Sequence, residues 1–413
     1  INLRSSVPAR LTQTIKQTFW SLRSRNFRLF FIGQSVSNSG NWLTNVALTL
    51  LVLHLTGSGL VIGILTACQF GPILLLSAWG GAIADRYNKR NLLFITQSLE
   101  MLESVALAAL AFTHSPSIVA LFAVATVGGI LLAFDNPLRR SFVTEMVPVE
   151  DIPNAVVLYS TVVNVARIIG PALAGALIVT VGYGWCFIVD AISYLAVLAC
   201  LWLMRPSELR VAPDRPSSKG LIRAGISYVL AVPVLWITFV MLLIIGSFAY
   251  NFTVTLPLLV TKSLHGGAGT FTLIYSTFGI GALCGALLTA NRRLVSVRAV
   301  VNGALMMGIT MFAIAMAPTV LIMAPIAFAL GITSIIYMTS TTSLVQVRAK
   351  PSMHGRVLAL QTVLLVGTTP IGGPLLGWLA DTAGARTPIA IGGIACIAAG
   401  LFGYVAIKNF SSI

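Results

Sequence analysis

The sequence predicts an all-α membrane protein with twelve transmembrane helices in two six-helix bundles. Three observations predict this class. The composition is strongly apolar, twelve long apolar runs are separated by short loops with unequally distributed basic residues, and the two halves of the chain resemble each other. Together they indicate a chain that is solvated by lipid rather than by water.

The composition is too apolar for a water-soluble globule. Of the 413 residues, 57% are hydrophobic and 9% are charged, whereas a soluble domain carries about 25% charged residues. The net charge of +15 does not indicate nucleic-acid binding, because the basic residues lie between apolar segments. The five cysteines lie in apolar runs without CxxC spacing and the four histidines are scattered, so neither a metal site nor a disulfide framework is expected.

Twelve apolar runs are long enough to span a bilayer, which takes about 20 helical residues. They lie at 27–53, 60–84, 91–113, 117–134, 155–181, 184–204, 234–260, 269–290, 297–317, 319–346, 355–380 and 387–407. An even number of spans places both ends of the chain on one side of the membrane.

The basic residues between these runs are distributed unequally. With a cytoplasmic amino terminus, 23 of the 26 Lys and Arg residues fall on the cytoplasmic side, including Arg139 and Arg140 in the loop after span 4. Lys262 and Arg386 fall on the other side, and Arg167 lies within span 5. Because cytoplasmic loops collect Lys and Arg, both termini are predicted to be cytoplasmic.

The chain divides into two similar halves. The predicted parts are a cytoplasmic basic arm at 1–26, a first bundle at 27–204, a cytoplasmic linker at 205–233 and a second bundle at 234–413. Within the arm, the alternation at 11–25 fits either a lipid-surface helix or a basic flank. The pair Gly170-Pro171 recurs as Gly373-Pro374, and Pro148 recurs as Pro351, both at an offset of 203 residues. Two such halves can expose a central site alternately to each side.

Three segments resemble a known transporter family. The sequence GGAIADRYNKRNLL at 80–93 resembles motif A of the major facilitator superfamily. The stretches AFDNPLRRSFVTEMVP at 133–148 and NAVVLYSTVVNVARIIGPALAG at 154–175 resemble the drug:proton antiporter 3 branch, with its enterobactin-exporter-like and macrolide-efflux-like proteins. The resemblance covers nearly the whole chain. It implies the major facilitator fold and an exporter, and it does not specify the substrate.

The resemblance assigns a gating role to motif A, here Gly81, Asp85, Arg86 and Arg90. In the family, the motif A aspartate meets the start of helix eleven and holds the cytoplasmic side closed. Asp85 is therefore expected near 354–356, where the positive end of a helix dipole would stabilise its carboxylate. The alternative is that Asp85 only shapes a basic loop.

The segment GPALAG resembles motif C of the antiporters, with Gly170, Pro171 and Gly175. Small residues let helices approach closely, and Pro171 is expected to kink the span. Because motif C is associated with antiport, it favours export, although plain tight packing is the alternative. The arginine of motif B is absent from 118–134, and Arg167 is the candidate to replace it.

Four charged residues are predicted within spans and away from the span ends: Glu100, Glu103, Arg167 and Asp190. A charge at the bilayer centre costs at least about 2.5–3.5 kcal/mol, so such residues mark functional sites by default. Glu100 and Glu103 share a helix face roughly 13 and 18 Å from the helix start. Two close carboxylates in a low dielectric do not readily both ionise, so one of them should readily hold a proton. A proton-coupling site requires a carboxyl group with this property. Permanent ion pairs of Arg167 with Glu100, Glu103 or Asp190 are the alternative.

Polar and aromatic residues on cavity-facing spans are the candidates for substrate contact, because binding cavities are mainly apolar with a few polar groups. The candidates are Asn38, Asn41, Trp42, Asn45, Gln69, Asn164, Tyr250, Asn251, Tyr275, Tyr337 and Gln361. Hydrogen bonding between helices is the alternative role for each.

The expected function is secondary active export of small hydrophobic or amphipathic molecules, such as drugs, macrolides or siderophores, by proton antiport and alternating access. A lipid or lysolipid flippase of the same fold is the alternative. Without a phosphate-binding loop or a cluster of His and acidic residues, neither ATP hydrolysis, a cofactor nor enzymatic activity is expected. The expected partners are a small-molecule substrate, protons and the lipid of the inner cell membrane, with the protein a monomer.

Overall fold

The computed structural model describes residues 19–210, 221–290, 296–350 and 353–410. Most of the basic arm, including the greater part of 11–25, lies outside these ranges, as do the middle of the linker and Pro351 of the repeat. Within them the chain is almost wholly helical.

The described ranges contain fifteen α-helices. They are α1 (Arg25–Thr56), α2 (Gly59–Arg86), α3 (Lys89–Ala111), α4 (Ile118–Val143), α5 (Ile152–Thr180), α6 (Tyr183–Leu203), α7 (Leu221–Ala231), α8 (Pro233–Phe248), α9 (Phe252–Leu258), α10 (Ala268–Ala290), α11 (Val297–Met316), α12 (Val320–Arg348), α13 (His354–Val366), α14 (Thr369–Thr382) and α15 (Thr387–Phe410). A π-helical turn at Leu259–Ser263 follows α9. Span 7 consists of α8, α9 and this turn, span 11 of α13 and α14, and α7 lies in the linker.

The predicted fold class is confirmed. In the described part of the chain, eleven segments are helical, long and apolar enough to cross a membrane. Helix α1 is not among the eleven, although its 32 residues are sufficient in length. It carries Asn38, Asn41 and Asn45 in its central part, which lower its hydropathy. With α1 the described part of the chain has the twelve spans that the sequence predicts.

One predicted boundary is wrong. The fourth span was expected to end at 134, with Arg139 and Arg140 in a cytoplasmic loop, but α4 continues to Val143. Arg139 is buried within it, at 2% exposure. The polar sequence from Asp135 to Arg140 looks like a loop by hydropathy alone, and it remains helical because Asp135 and Arg139 find charged partners inside the protein.

The helix ends follow ordinary capping chemistry. The Ser58, Asn88 and Ser117 side chains each accept a hydrogen bond from a backbone N–H of the first turn of α2, α3 and α4, which satisfies a donor that has no partner within the helix. Helix α1 ends at Gly57 in the left-handed conformation, with φ of 64°, a backbone geometry that glycine adopts without steric cost. Short loops therefore separate consecutive spans.

The helices pack as two bundles. In the first, α1 packs on α5 and α6, α2 on α4, and α3 on α4 and α6. In the second, α10 packs on α12, α11 on α12 and α15, and α8 on α13 and α15. The division at 205–233 between the bundles remains a prediction, but the linker contains α7, which packs on α13 and α8.

The two bundles meet mainly at one end. We call the end where α1 begins and α15 finishes the terminal face, and the other end the opposite face. Helix α2 packs on α14, and α5 packs on α10. A methyl group built on Gly59, at the opposite face, would lie 2.6 Å from the carbonyl oxygen of Gly377. Glycine is therefore required where α2 meets α14.

Candidate functional site

Four acidic side chains and one arginine lie inside the first bundle. We call this group, Glu100, Glu103, Asp135, Asp190 and Arg139, the acidic cluster. Arg139 of α4 donates to the Glu100 carboxylate of α3 at 3.0 Å and also pairs with Asp135, one turn earlier in α4. All three side chains are at most 3% exposed. One guanidinium therefore neutralises two carboxylates away from water.

Uncharged polar side chains complete the surroundings of this ion triad. Gln97 donates to both carboxylates at 2.9 Å, and Thr96 donates to Asp135 at 2.7 Å. From α1, the Gln34 oxygen accepts from the guanidinium at 3.1 Å, and Asn38 donates to the same oxygen at 3.0 Å. Asn38, a predicted substrate contact, is thus 8% exposed and belongs to this network. Hydrogen bonds of this kind stabilise buried charges.

Asp190 of α6 lies deeper in the same bundle and has hydroxyl partners instead of a cation. Its carboxylate accepts from Thr44 and Ser104 at 2.8 Å and from Ser193 at 3.3 Å. The residue is 1% exposed. The hydroxyls come from three helices, so this carboxylate holds α1, α3 and α6 together.

Glu103 lies one turn beyond Glu100 on α3 and is partly exposed. Its carboxylate rests directly on Gly128 of α4, in the space that a Cβ at this position would occupy. It lies within electrostatic range of Asp190. It takes part in none of the ion pairs in the described part of the chain. Glu100 and Glu103 therefore share a helix face but have different partners.

Arg167 of α5 lies apart from the acidic cluster. The alternative in which it pairs permanently with Glu100, Glu103 or Asp190 has no support here, since the ion pairs of the described residues do not include Arg167. Its guanidinium carbon instead lies 5.2 Å from the centroid of the Trp42 ring. The side chain is exposed on the polar side of α5. Arg139, rather than Arg167, is the arginine that pairs with acidic residues of the first bundle.

Aromatic side chains of the second bundle lie across from Arg167. The phenols of Tyr275 and Tyr250 are within electrostatic range of its guanidinium. The ring centroid of Tyr250 is 5.7 Å from that of Phe252, and the ring of Tyr275 is 5.9 Å from that of Phe278. Phe252 and Phe278 lie 5.0 Å apart. The four rings form a continuous group, which we call the aromatic wall. Tyr250 and Phe278 are partly exposed, and Phe252 and Tyr275 are buried behind them.

The remaining predicted cavity residues differ in exposure. Asn45 and Gln69 are partly exposed, and Asn164 is exposed on α5. Three others make hydrogen bonds within or between helices: Asn41 to the Tyr194 hydroxyl, Gln361 to Thr342, and Asn251 to the Ser247 carbonyl. Tyr337 is fully buried. Asn251, also fully buried, lies at the break between α8 and α9.

The motif A residues lie at the terminal face. Arg90 donates to the Leu201 carbonyl at 2.8 Å, near the end of α6, where a cation compensates the helix dipole. Gly81 has open space beside it and Arg86 is exposed. The side chain of Asp85 lies outside the described part of the chain, so its contact with the start of α13 remains a prediction.

The motif C residues contact two different helices. A Cβ built on Gly170 would lie 2.7 Å from the Ser39 carbonyl oxygen and 2.9 Å from the Leu43 nitrogen of α1. Gly175 packs on Thr272 of α10, in the second bundle. Helix α5 runs without interruption through Pro171. Through this motif, α5 packs closely on α1 of its own bundle and on α10 of the second bundle.

A second charged group closes the opposite face. The Asp381 carboxylate at the end of α14 accepts from Ser58 Oγ at 2.7 Å and from the Gly59 and Leu60 backbone N–H groups at 2.8 and 3.0 Å. It also pairs with Lys262 at 2.6 Å. This carboxylate therefore caps the positive end of α2, a helix of the other bundle.

A comparison with protein families identifies the chain. Residues 16–412 match the family model described as transmembrane secretion effector. The chain belongs to this family of the major facilitator superfamily. Within the described residues, no group of three His, Cys, Asp or Glu residues could hold a metal ion.

The chain is similar to named membrane transporters. The chain is 29% identical to the Staphyloferrin A transporter of Staphylococcus aureus, over 90% of this chain and 93% of that protein. It is 27% identical to the multidrug efflux pump Tap of Mycolicibacterium fortuitum, over 86% and 89%. It is 24% identical to the enterobactin exporter EntS of Salmonella paratyphi A, over 88% and 87%. The chain is therefore a multi-pass membrane transporter.

Solved structures support the fold alone. A bacterial homologue of the human lysosomal transporter Spinster, in an inward-facing and occupied conformation, aligns with a TM-score of 0.72 at 16% identity, covering 94% of this chain and 97% of that one. At that identity the likeness extends to the arrangement of helices and not to the substrate.

The sequence alone did not point to two groups of charged residues that the structure places at these sites. Asp135 and Arg139 lie in the polar stretch that was assigned to a loop, and their spacing of four residues was the available signal. Asp381 could have been singled out as the sole acidic residue after position 233. Its partners at the start of α2 lie 321 to 323 residues away, so no local pattern reveals them.

Proposed function

We propose that this transporter exports small amphipathic molecules by proton antiport and alternating access. The observation that carries the proposal is the acidic cluster inside the first bundle, in which Arg139 pairs with two carboxylates and two further carboxyl groups, Glu103 and Asp190, have no cation partner among the described residues. Several negative charges around one positive charge in a water-poor interior are unfavourable, so the cluster favours the uptake of protons. Proton uptake and release there can bias the packing of α1, α3, α4 and α6.

The composition of the second bundle supports the same location. After position 233 the sequence has one acidic residue, Asp381. That carboxylate lies at the opposite face and is bound to Lys262 and the start of α2. A carboxyl-based proton site within the membrane therefore has to be built from the first bundle.

The contacts between bundles support alternating access. The close glycine contacts of α2 with α14 and of α5 with α10 lie toward the opposite face. Asp381 joins the bundles at the same end. In the proposal this end opens when the terminal face closes, and Asp85 then meets the start of α13 as motif A implies. With both termini in the cytoplasm, the closed end would be the extracellular side.

A reconstituted transport assay tests the proposal. Inverted vesicles or proteoliposomes containing the full chain are offered erythromycin, ethidium and Staphyloferrin A, each with and without a pH gradient. We expect at least one compound to accumulate only with the gradient. The variant with Glu100→Gln and Glu103→Gln should lose gradient-driven accumulation and keep substrate exchange without a gradient, because exchange needs no net proton movement. Glu208→Gln, in an exposed ion pair, is the matched control.

The exchange measurement separates a coupling defect from a folding defect. If the double variant accumulates substrate with the gradient as well as the unmodified protein does, the assignment of coupling to α3 is wrong. Accumulation that never depends on the gradient would instead favour the lipid or lysolipid flippase.

A further inference from the structure

Arg167 occupies an unusual position for a charged residue in a membrane protein. On α5, Ile169 and Leu173 mark one exposed face that is wholly apolar, as expected toward lipid. Arg167 and Asn164 lie on a different exposed face, between the side that packs on α1 and the side that packs on α10. Because α1 and α10 belong to different bundles, this polar face borders the space between the bundles.

The Arg167 charge has no counter-ion among the described residues. Its neighbours include the Trp42 ring and the phenols of Tyr250 and Tyr275. A second cation, Arg140, is exposed on α4 and lies within electrostatic range. Glu100 and Asp135 of the first bundle pair with Arg139 and not with Arg167. Two like charges that lie near each other attract an anion.

The opposing surface is aromatic and carries no acid. Tyr250 is fixed by a hydrogen bond from its hydroxyl to the Ser334 carbonyl at 2.7 Å. Phe252, Phe278 and Tyr275 continue this aromatic wall with ring centroids 5.0 and 5.9 Å apart. Since the one acidic residue after position 233 is Asp381 at the opposite face, the wall offers a cationic ligand no carboxylate. Fixed rings suit a flat apolar ligand.

We propose that the space between the bundles binds an aromatic or otherwise apolar organic anion, with the carboxylate or a similar acidic group on Arg167 and the apolar body against Trp42 and the aromatic wall. The inference rests on the proposed function and narrows its substrate class from amphipathic molecules to amphipathic anions. Arg167 thereby acts in charge selection rather than in proton coupling.

Three probes with the same ring system and different charge test this. Binding of 1-naphthoate, 1-naphthylmethylammonium and 1-naphthalenemethanol to the purified full chain is measured by calorimetry at one pH without a gradient. We expect the carboxylate to bind at least about tenfold more tightly than the ammonium compound, because a guanidinium–carboxylate contact is replaced by charge repulsion. Arg167→Gln should abolish that preference, and Arg167→Lys should keep part of it because the charge remains. Arg205→Gln, whose side chain is 59% exposed, is the control.

Each outcome decides the inference. Equal affinity for the carboxylate and the ammonium probe, or tighter binding of the ammonium probe, overturns it, as does an unchanged preference in Arg167→Gln. If Arg167→Gln lowers thermal stability while the charge preference persists, the arginine is structural. Because no gradient is used, a failure here leaves proton coupling untouched, and a failure of gradient-driven transport leaves the charge preference untouched.

Discussion

The Arg139 guanidinium lies between two carboxylates of neighbouring helices, and its removal would leave both without a cation. Breaking a buried pair from one side costs much more than the pair contributes, because the remaining charge stays desolvated. The pairs at the surface are different in kind. The side chains of Arg205 and Glu208 are 59% and 41% exposed. Because water solvates both groups whether or not they pair, this ion pair contributes little to stability.

Replacement of Arg139 by glutamine should lower the free energy of unfolding by about 3–5 kcal/mol, because Glu100 and Asp135 lose their shared cation. The measurement is thermal unfolding in detergent of Arg139→Gln beside Arg205→Gln, which should change stability by less than about 0.5 kcal/mol. The triple variant in which glutamine and asparagine also replace Glu100 and Asp135 should recover part of the loss. Equal unfolding temperatures for the two arginine variants would contradict the ion triad.

At the scale of single helices, the packing of α5 is set by glycine. Gly170 meets the backbone of α1 and Gly175 meets Thr272 of α10. One helix thus touches both bundles through positions that lack a side chain. Backbone atoms cannot rotate away from a new methyl group as a flexible side chain can, so larger residues force the helices apart.

The second prediction follows from this contact. Gly170→Ala should destabilise the protein by about 1–3 kcal/mol, because the new Cβ would lie 2.7 Å from the Ser39 carbonyl oxygen. Gly71→Ala in α2 is the control, as open space surrounds it, and alanine in a helix should be neutral or stabilising there. Thermal unfolding and membrane expression level report the difference. A Gly170→Ala protein as stable as the Gly71→Ala protein would show that α1 and α5 are not in close contact.

The sequence predicts the helices better than it predicts their interruptions and their charged partners. Long apolar runs predict twelve spans, and eleven of these are helical segments that are long and apolar enough to cross a membrane in the described part of the chain. The end of α4 is hidden, because Asp135 and Arg139 look hydrophilic until Glu100 is placed beside them. The break after Phe248 is also hidden, since it depends on the packing of Asn251 against α14. Pairing between distant helices decides both features, and a single sequence does not reveal it.

At the scale of the whole molecule, Asp381 connects the bundles by capping a helix from the other bundle. It accepts two backbone hydrogen bonds from α2 and pairs with Lys262. A carboxylate at the positive end of a helix gains about 0.3–2 kcal/mol, depending on its exposure. Motif A implies a similar contact at the terminal face, between Asp85 and the start of α13. The two contacts would stabilise opposite conformations.

The third prediction concerns the balance between these conformations. Asp381→Asn should shift the population toward opening of the opposite face by roughly fivefold or more, because the charge that holds α2 and Lys262 is lost. Spin labels at Val119 and Leu321, which are 79% and 85% exposed at that face, would report a longer distance by double electron–electron resonance. The five native cysteines are replaced first. Glu208→Gln should leave the distances as they are, and an unchanged distribution in Asp381→Asn would refute the contact as a gate.

The near absence of acidic residues from the second half has an evolutionary consequence. Recombination between related transporters at the linker would exchange the aromatic wall and leave the carboxylates of the acidic cluster with the first half. A new substrate could then be acquired without a change in the proposed proton-coupling site. A family assembled in this way would diversify faster in its carboxy-terminal halves than in its amino-terminal halves.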